Sequence, residues 1–315
     1  MLTTNRCSSA DGEDKIYIIT ESNFYRNRIL RHKEQKNLIQ HYLGKRYRLQ
    51  DILTAHDTRY ILYGEGQEDI VLDEKLHQYI RSMTSRQTPG EPRLAGHPGR
   101  QHYSQMGASE FVDKFLNRRR NGIFLECGAS DGETISNSLF FELYRNWTGI
   151  LIEANPNRIK SLIEKNRNAH VVRACLSVTG KPDVVKFASG PGIGGGLKGS
   201  IDKDVIVALK RHAHVSVLAE LYVQCFPLMS ILAALNVYHI DYLSLDVEGG
   251  EIEILKTVDW TRLTVDILTV EYRSNMKNLA QLKALFSKTG RYRMAGVLPV
   301  GERQNKALDA IFIRI

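Results

Sequence analysis

Residues Ile123 to Gly132 read I-F-L-E-C-G-A-S-D-G. An apolar run that ends in an acid and passes into glycines predicts a buried parallel strand, a tight turn and then a helix beginning near Asp131. Gly128 lets the backbone turn and lets a ligand come close. A helix starting there would aim unpaired N–H groups and a positive dipole end into the crevice above the strand. Open α/β sheets bind ligands at that place, outside the carboxyl ends of their strands. This stretch restricts the chain to the α/β class.

The spacing is not the dinucleotide G-x-G-x-x-G, and a pyrophosphate would be repelled by Glu126. Read as Glu126-x-Gly128-x-x-x-Gly132, it resembles the acidic turn of S-adenosylmethionine (SAM) methyltransferases, whose acid pairs with the ligand's ammonium. A second apolar run, Thr148 to Pro156, ends in Glu153, 27 residues after Glu126. That interval is one strand–helix–strand unit, and an acid so placed accepts the hydroxyls of a ribose. Glu126, Gly128 and Glu153 are the expected cofactor residues. The competing reading is two structural turns with solvated acids.

The chain has 315 residues, long enough for a large core. Its net charge is +8, and five of those charges fall in residues 1–120. Such an excess suits anionic partners, although a solvated basic face gives it more often. Cys7, Cys127, Cys175 and Cys225 show no paired spacing, so neither a zinc site nor a disulfide framework is expected, and a reducing, cytoplasmic setting is favoured. Residues 1–14 are polar, without an apolar signal region, and read as a disordered tail. The most apolar long segment, Val215 to Val237, is interrupted by Glu220, Gln224, Pro227 and Asn236, so no transmembrane segment is expected.

Along the chain, Ile16 to Ile19 predicts a strand and Phe24 to Leu43 a basic amphipathic helix. Basic and aromatic residues do not interleave there as in an RNA-reading surface, and no nucleic-acid partner is expected. Tyr60 to Tyr63 predicts a strand, and Asp73 to Arg81 a helix capped by Asp73. Thr84 to Gly107 reads as a proline- and glycine-rich linker, and the domain boundary is set between residues 105 and 106. Helices are expected at Ser109 to Leu116, Glu133 to Arg145, Asn157 to Asn168, Phe226 to Leu235 and Asn278 to Lys288. On the second of these, Asn137, Phe140, Phe141 and Tyr144 either pack on the sheet or face the cofactor, and core packing is the better reading of the aromatics.

Further strands are expected at His170 to Leu176, Ile240 to Val247, Ile267 to Val270, Tyr292 to Leu298 and Leu308 to Ile315. Ser177 would lie beyond the third core strand, where an adenine ring sits. Residues 180–212 exceed what a βα unit needs. Their Gly190 to Gly196 run cannot make a central strand, and the insertion is expected to be either a substrate lid or a surface loop. The count predicts a seven-stranded Rossmann-like sheet of the class I methyltransferase type, mostly parallel with an antiparallel final strand, behind an N-terminal extension.

F-L-E-C-G-A-S-D-G-E-T-I-S-N-S-L, W-T-G-I-L-I-E-A-N-P and I-D-Y-L-S-L-D-V-E-G-G-E-I-E-I-L together resemble FkbM-type methyltransferases. The first two blocks, and D-x-x-L-x-x-Y-I-R at residues 73–81, are similar to the Star-like branch. The resemblance implies SAM as cofactor and a hydroxyl of a small molecule or sugar as acceptor. It implies cofactor roles for Glu126, Gly128, Asp131 and Glu153, and an acidic strand-end motif at Asp246 and Glu248. It also implies a contrasting role, a non-catalytic adaptor for membrane-protein cargo between ER, Golgi and endosome. The branch is membrane-anchored, and no anchor segment is expected here.

A hydroxyl nucleophile must lose its proton. Asp246, Glu248 and Glu271 close adjacent strands, so Asp246 or Glu248 is the expected general base. The rival is Mg²⁺ held by Asp246 and Glu271. Glu251, beside Glu248, also suits a helix start. His239 precedes its strand and falls at the wrong end.

Overall fold

The computed structural model describes residues 3–8, 14–19, 28–30, 73–86, 92–95, 100–189, 195–197, 206–207, 219–273, 275–299 and 308–315. Strands β1 (Thr3–Ser8), β2 (Asp14–Ile19) and β3 (Arg28–Leu30) form a small antiparallel sheet. The expected tail therefore includes a strand. Of the helix expected at Phe24 to Leu43 only the strand β3 is described; its remainder, and Tyr60 to Tyr63, lie outside the described residues.

The main sheet contains β4 (Thr84–Arg86), β5 (Ile123–Cys127), β6 (Thr148–Glu153), β7 (Ala169–Arg173), β12 (His239–Leu245), β13 (Thr264–Glu271), β14 (Tyr292–Leu298) and β15 (Asp309–Arg314). Their order is β14-β15-β13-β12-β5-β6-β7-β4. Strands β7, β6, β5, β12 and β13 run parallel, while β15 returns antiparallel to β13. The strand order reverses between β5 and β12, and such a reversal opens a ligand crevice at the carboxyl ends. Eight strands, not seven, make this sheet. The extra one is β4, antiparallel to the edge strand β7, in a stretch expected to be linker.

Alternation along the strands sends side chains to two apolar layers. Phe124, Leu151, Val171 and Tyr242 face one layer with α2 (Ala108–Phe115), α3 (Leu139–Arg145) and α4 (Pro156–Glu164). Leu125, Ile152, Val172 and Leu243 face the other with α1 (Glu74–Ser82), α5 (Leu228–Ala234), α6 (Glu251–Lys256) and α7 (Met276–Thr289). Leu76, Tyr79, Ile80 and Met83 belong to this second layer. Residues 73–86, expected in the extension, thus share the core of the main sheet.

The third expected strand divides at Ala174. Its end, β8 (Cys175–Leu176), joins a second sheet with β9 (Asp183–Ser189), β10 (Gly195–Leu197) and β11 (Ala219–Phe226), in the order β10-β9-β11-β8. Part of the glycine run makes β10, at an edge rather than in the centre. Cys175 and Cys225 are register partners across β8 and β11 and are joined in a disulfide. This corrects the expectation of no disulfide. The 50-residue separation hides a pairing that only the sheet register creates. Among the described residues, no helix is long and apolar enough to cross a membrane.

Candidate active site

Where β5 ends, the chain is pinned to its neighbours. Gly128 N–H and Ala129 N–H donate to the Ile152 carbonyl at 3.0 and 3.1 Å, and Asp246 N–H donates to the Cys127 carbonyl at 3.1 Å. Gly128 has φ +87°, in the left-handed region that glycine favours.

The helix expected near Asp131 begins only at Leu139. Residues 128–138 form an irregular loop instead, with Ser130 and Ile135 at positive φ. Asp131 does not line the cavity. Its carboxylate accepts from Glu133 N–H at 3.0 Å, Thr134 N–H at 2.8 Å and the Thr134 hydroxyl at 2.7 Å. Burial pushes that carboxyl up, and these donors outweigh burial and hold it below its ordinary value.

Glu126 is buried and draws the loop around itself. Oε1 accepts from Asn137 N–H at 2.8 Å. Oε2 accepts from the Ser136 hydroxyl at 2.8 Å, Ser138 N–H at 3.3 Å and the Ser138 hydroxyl. The free N–H groups ahead of α3 thus point at Glu126 and not into open space.

Behind them lies Arg167, fully buried. It donates to Glu142 Oε2 at 2.6 Å, to the Ser138 hydroxyl at 3.0 Å, to the Ser136 hydroxyl at 3.3 Å and to the Gly132 carbonyl. One guanidinium therefore holds three points of the loop.

Glu153, at the end of β6, is also buried. Its two oxygens accept from Ser130 N–H and Asn155 N–H, each at 2.6 Å. Burial raises its carboxyl to about 7, with those N–H donors opposing the rise. Ser177, by contrast, is turned into its own loop. Its hydroxyl donates to the Lys181 carbonyl at 2.6 Å and accepts from Thr179 N–H at 3.2 Å, and it is not on the cavity wall. A position read only from the strand end could not foresee that local bond.

Glu126, Gly128 and Glu153 line one cleft with about 930 Å³ of empty space counted to its open mouth. Phe187, Gly195 and Leu197 close it from the second sheet, and Asp246 and Glu248 from the end of β12. Of the insertion expected as lid or loop, Asp183–Ser189 and Gly195–Leu197 are strands that wall the cleft.

At the β12 and β13 ends, carboxylate oxygens of Asp246, Glu248 and Glu271 lie within 4.8 Å of one another. Arg273 donates to Glu271 Oε1 at 3.0 Å and pairs with Glu248. One cation thus faces three carboxyls. Burial, and then the Glu248 and Asp309 charges, raise the Asp246 carboxyl well above its ordinary value, while a hydrogen bond with Glu271 works against the rise. Glu271 is raised too, by burial first and by Asp246 and Glu248 next. Like charges this close share a proton. Glu251 belongs to the turn: Oε1 accepts from Gly249 N–H at 2.9 Å and Val247 N–H at 3.2 Å. His239 lies at the opposite strand ends, 3.2 Å from Asp266.

Sequence reasoning missed Arg167, and it left Asn137 undecided. Asn137 lines the cleft, while Phe140 and Phe141 are buried in the core. The S-N-S triplet at 136–138, polar where a helix should be apolar, was the available signal.

Residues 126–294 match the Methyltransferase FkbM domain family, over more than half of the chain. A comparison with curated proteins finds no match. Among solved structures, the chain is similar to a TehB-like SAM-dependent methyltransferase from Corynebacterium glutamicum, with 10% identity, 67% of this chain and 89% of that one covered, and a TM-score of 0.36. A methyltransferase from Pyrococcus furiosus shares 14% identity over 71% of this chain and 88% of that one, at a TM-score of 0.37. Aeropyrum pernix fibrillarin, in complex with natively bound S-adenosyl-L-methionine, shares 11% over 73% and 88%, at 0.36. The assignment rests on the family match and not on these distant likenesses. With that match beginning at the acid of the β5 turn, the chain belongs to the FkbM methyltransferase family and is a SAM-dependent methyltransferase.

Proposed function

We propose that the chain methylates a hydroxyl oxygen of a small molecule or sugar, with Asp246 as general base. The observation that carries this reading is the carboxyl cluster of Asp246, Glu248 and Glu271 beside a cleft that Asp246 also lines. When bound, SAM supplies an electrophilic methyl group on a sulfonium, and the protein's work is alignment, exclusion of water and removal of one proton. Glu153, on the cleft wall at the end of β6, is suited to the ribose hydroxyls, because its backbone donors leave part of its lone-pair capacity open. Phe187 and Leu197 shield the cleft from water.

Asp246 and Glu248 were equal candidates for the base. The bond between Glu248 and Arg273 favours Asp246, since a carboxylate neutralised by a guanidinium is a poor proton acceptor. Glu271, hydrogen-bonded to Asp246, then orients it and shares its proton. Placement in the Star-like branch, with its adaptor role in membrane traffic, draws only on sequence resemblance. The cleft and its acids favour the enzyme.

The test is transfer of isotope-labelled methyl from SAM to a panel of hydroxylated small molecules and sugars, read by mass spectrometry. Labelled product from wild type, and loss of it in Asp246→Asn, is the expected result. Undiminished turnover in the double variant Asp246→Asn/Glu248→Gln would end the base assignment.

A further inference from the structure

Two polar atoms on residues of the cleft wall are buried without a hydrogen-bond partner, the Ser130 hydroxyl and Asn137 Oδ1. Buried polar groups are rarely left so, and a ligand is one reason for an exception. Asn137 is held at two points. Its Nδ2 donates to the Ser244 hydroxyl at 2.8 Å, and its backbone N–H is held by Glu126. The amide oxygen therefore has nothing of the protein's own to accept from.

Glu126 is poorly placed for the role given to such an acid. A carboxylate offers about four lone-pair sites. Four donors from residues 136–138 reach it, three at Oε2 and one at Oε1, so that only Oε1 keeps an open position. Its negative charge nevertheless remains buried beside Asn137 and favours a cation there.

The sheet order sets the direction. Ser244 and Glu126 are register partners on β12 and β5, while Glu153 lies on β6, at the other side of β5. A ligand whose ribose meets Glu153 carries its amino-acid end toward Asn137.

We propose that Asn137, through Oδ1, accepts the α-ammonium of the bound SAM, with Glu126 shaping the loop and contributing field rather than contact. This rests on SAM as the cofactor. It reassigns the group that reads the amino-acid end.

Calorimetric titration with S-adenosylhomocysteine and with 5′-methylthioadenosine, which lacks the amino-acid portion, tests it. Asn137→Ala should weaken S-adenosylhomocysteine about tenfold or more, as loss of a hydrogen bond to a charged group does, and leave 5′-methylthioadenosine within about twofold. Asn137→Asp keeps the oxygen and should retain tight S-adenosylhomocysteine binding. Glu126→Gln should weaken both ligands, because it loosens the loop, and S-adenosylhomocysteine the more, because the field on its ammonium is lost. Equal losses for both ligands in Asn137→Ala, or no loss for either, would overturn the proposal. Wild type that binds neither ligand would instead remove the cofactor assignment beneath it.

Discussion

A Cβ at Gly128 would lie 1.8 Å from the Asp246 carbonyl oxygen. The turn after β5 and the candidate base after β12 are therefore packed backbone to backbone. Gly128→Ala meets both that clash and a φ of +87°. We expect a destabilisation of about 3 kcal/mol or more, with donor binding lost. Thermal melts and ligand titration check it; a melting temperature unchanged from wild type would refute the close packing.

Arg167 and Glu142 form a buried ion pair at 2.6 Å. Removing one partner leaves the other charged and unpaired. Arg167→Met should cost about 3–5 kcal/mol, and Arg167→Met/Glu142→Leu distinctly less. Urea unfolding of the single and double variants measures the difference.

Activity should rise with pH across an acid limb above the usual carboxylate range, because Asp246 must be ionised to accept a proton and burial raises it. Glu271→Leu removes the hydrogen bond that opposes this rise, so its limb should move to higher pH. Glu271→Gln keeps a donor and should leave the limb near wild type. Asp246→Asn should lower turnover by about 10²–10⁴. Profiles of kcat/KM against pH decide, and a common limb in wild type and Glu271→Leu would show that Glu271 does not act on Asp246.

The Cys175–Cys225 bond closes a 50-residue loop. Loop-closure entropy puts its contribution at up to about 4 kcal/mol. Since Cys175 also lines the cleft, reduction should weaken SAM affinity together with stability. Melting and titration with and without a thiol reductant test both, and identical values in the two states would deny the disulfide any part in the wall.

Glu153 is raised by burial to about 7 in the folded protein. A raised carboxyl favours folding in its protonated form, so that stability is complete at low pH and is lost as pH climbs through the raised value. The unfolding free energy of ligand-free protein should fall between about pH 5 and about pH 8, and Glu153→Gln should flatten the fall. A slope equal to wild type would mean that Glu153 is not the group responsible.

The strands were legible because apolar runs flanked by turn residues admit few alternatives, and Glu126, Glu153 and Asp246, read as standing at strand ends, do line the cleft there. The loop after Gly128 was not. G-E-T-I-S-N-S lacks a proline and reads as helix, yet Glu126 captures the N–H groups and hydroxyls that a helix would have left alone. Ser177 failed for a related reason: its hydroxyl found the Lys181 carbonyl four residues on. Thr84–Arg86 is too short to signal a strand without the open edge of β7 beside it.

Phe187, Gly195 and Leu197 reach the cleft from the inserted sheet and not from the βα scaffold. Two pieces of chain distant in sequence thus wall a single cleft. Exchanging the β9–β10 hairpin while keeping the β5 and β6 turns should therefore reshape the cleft without disturbing the acids at those strand ends.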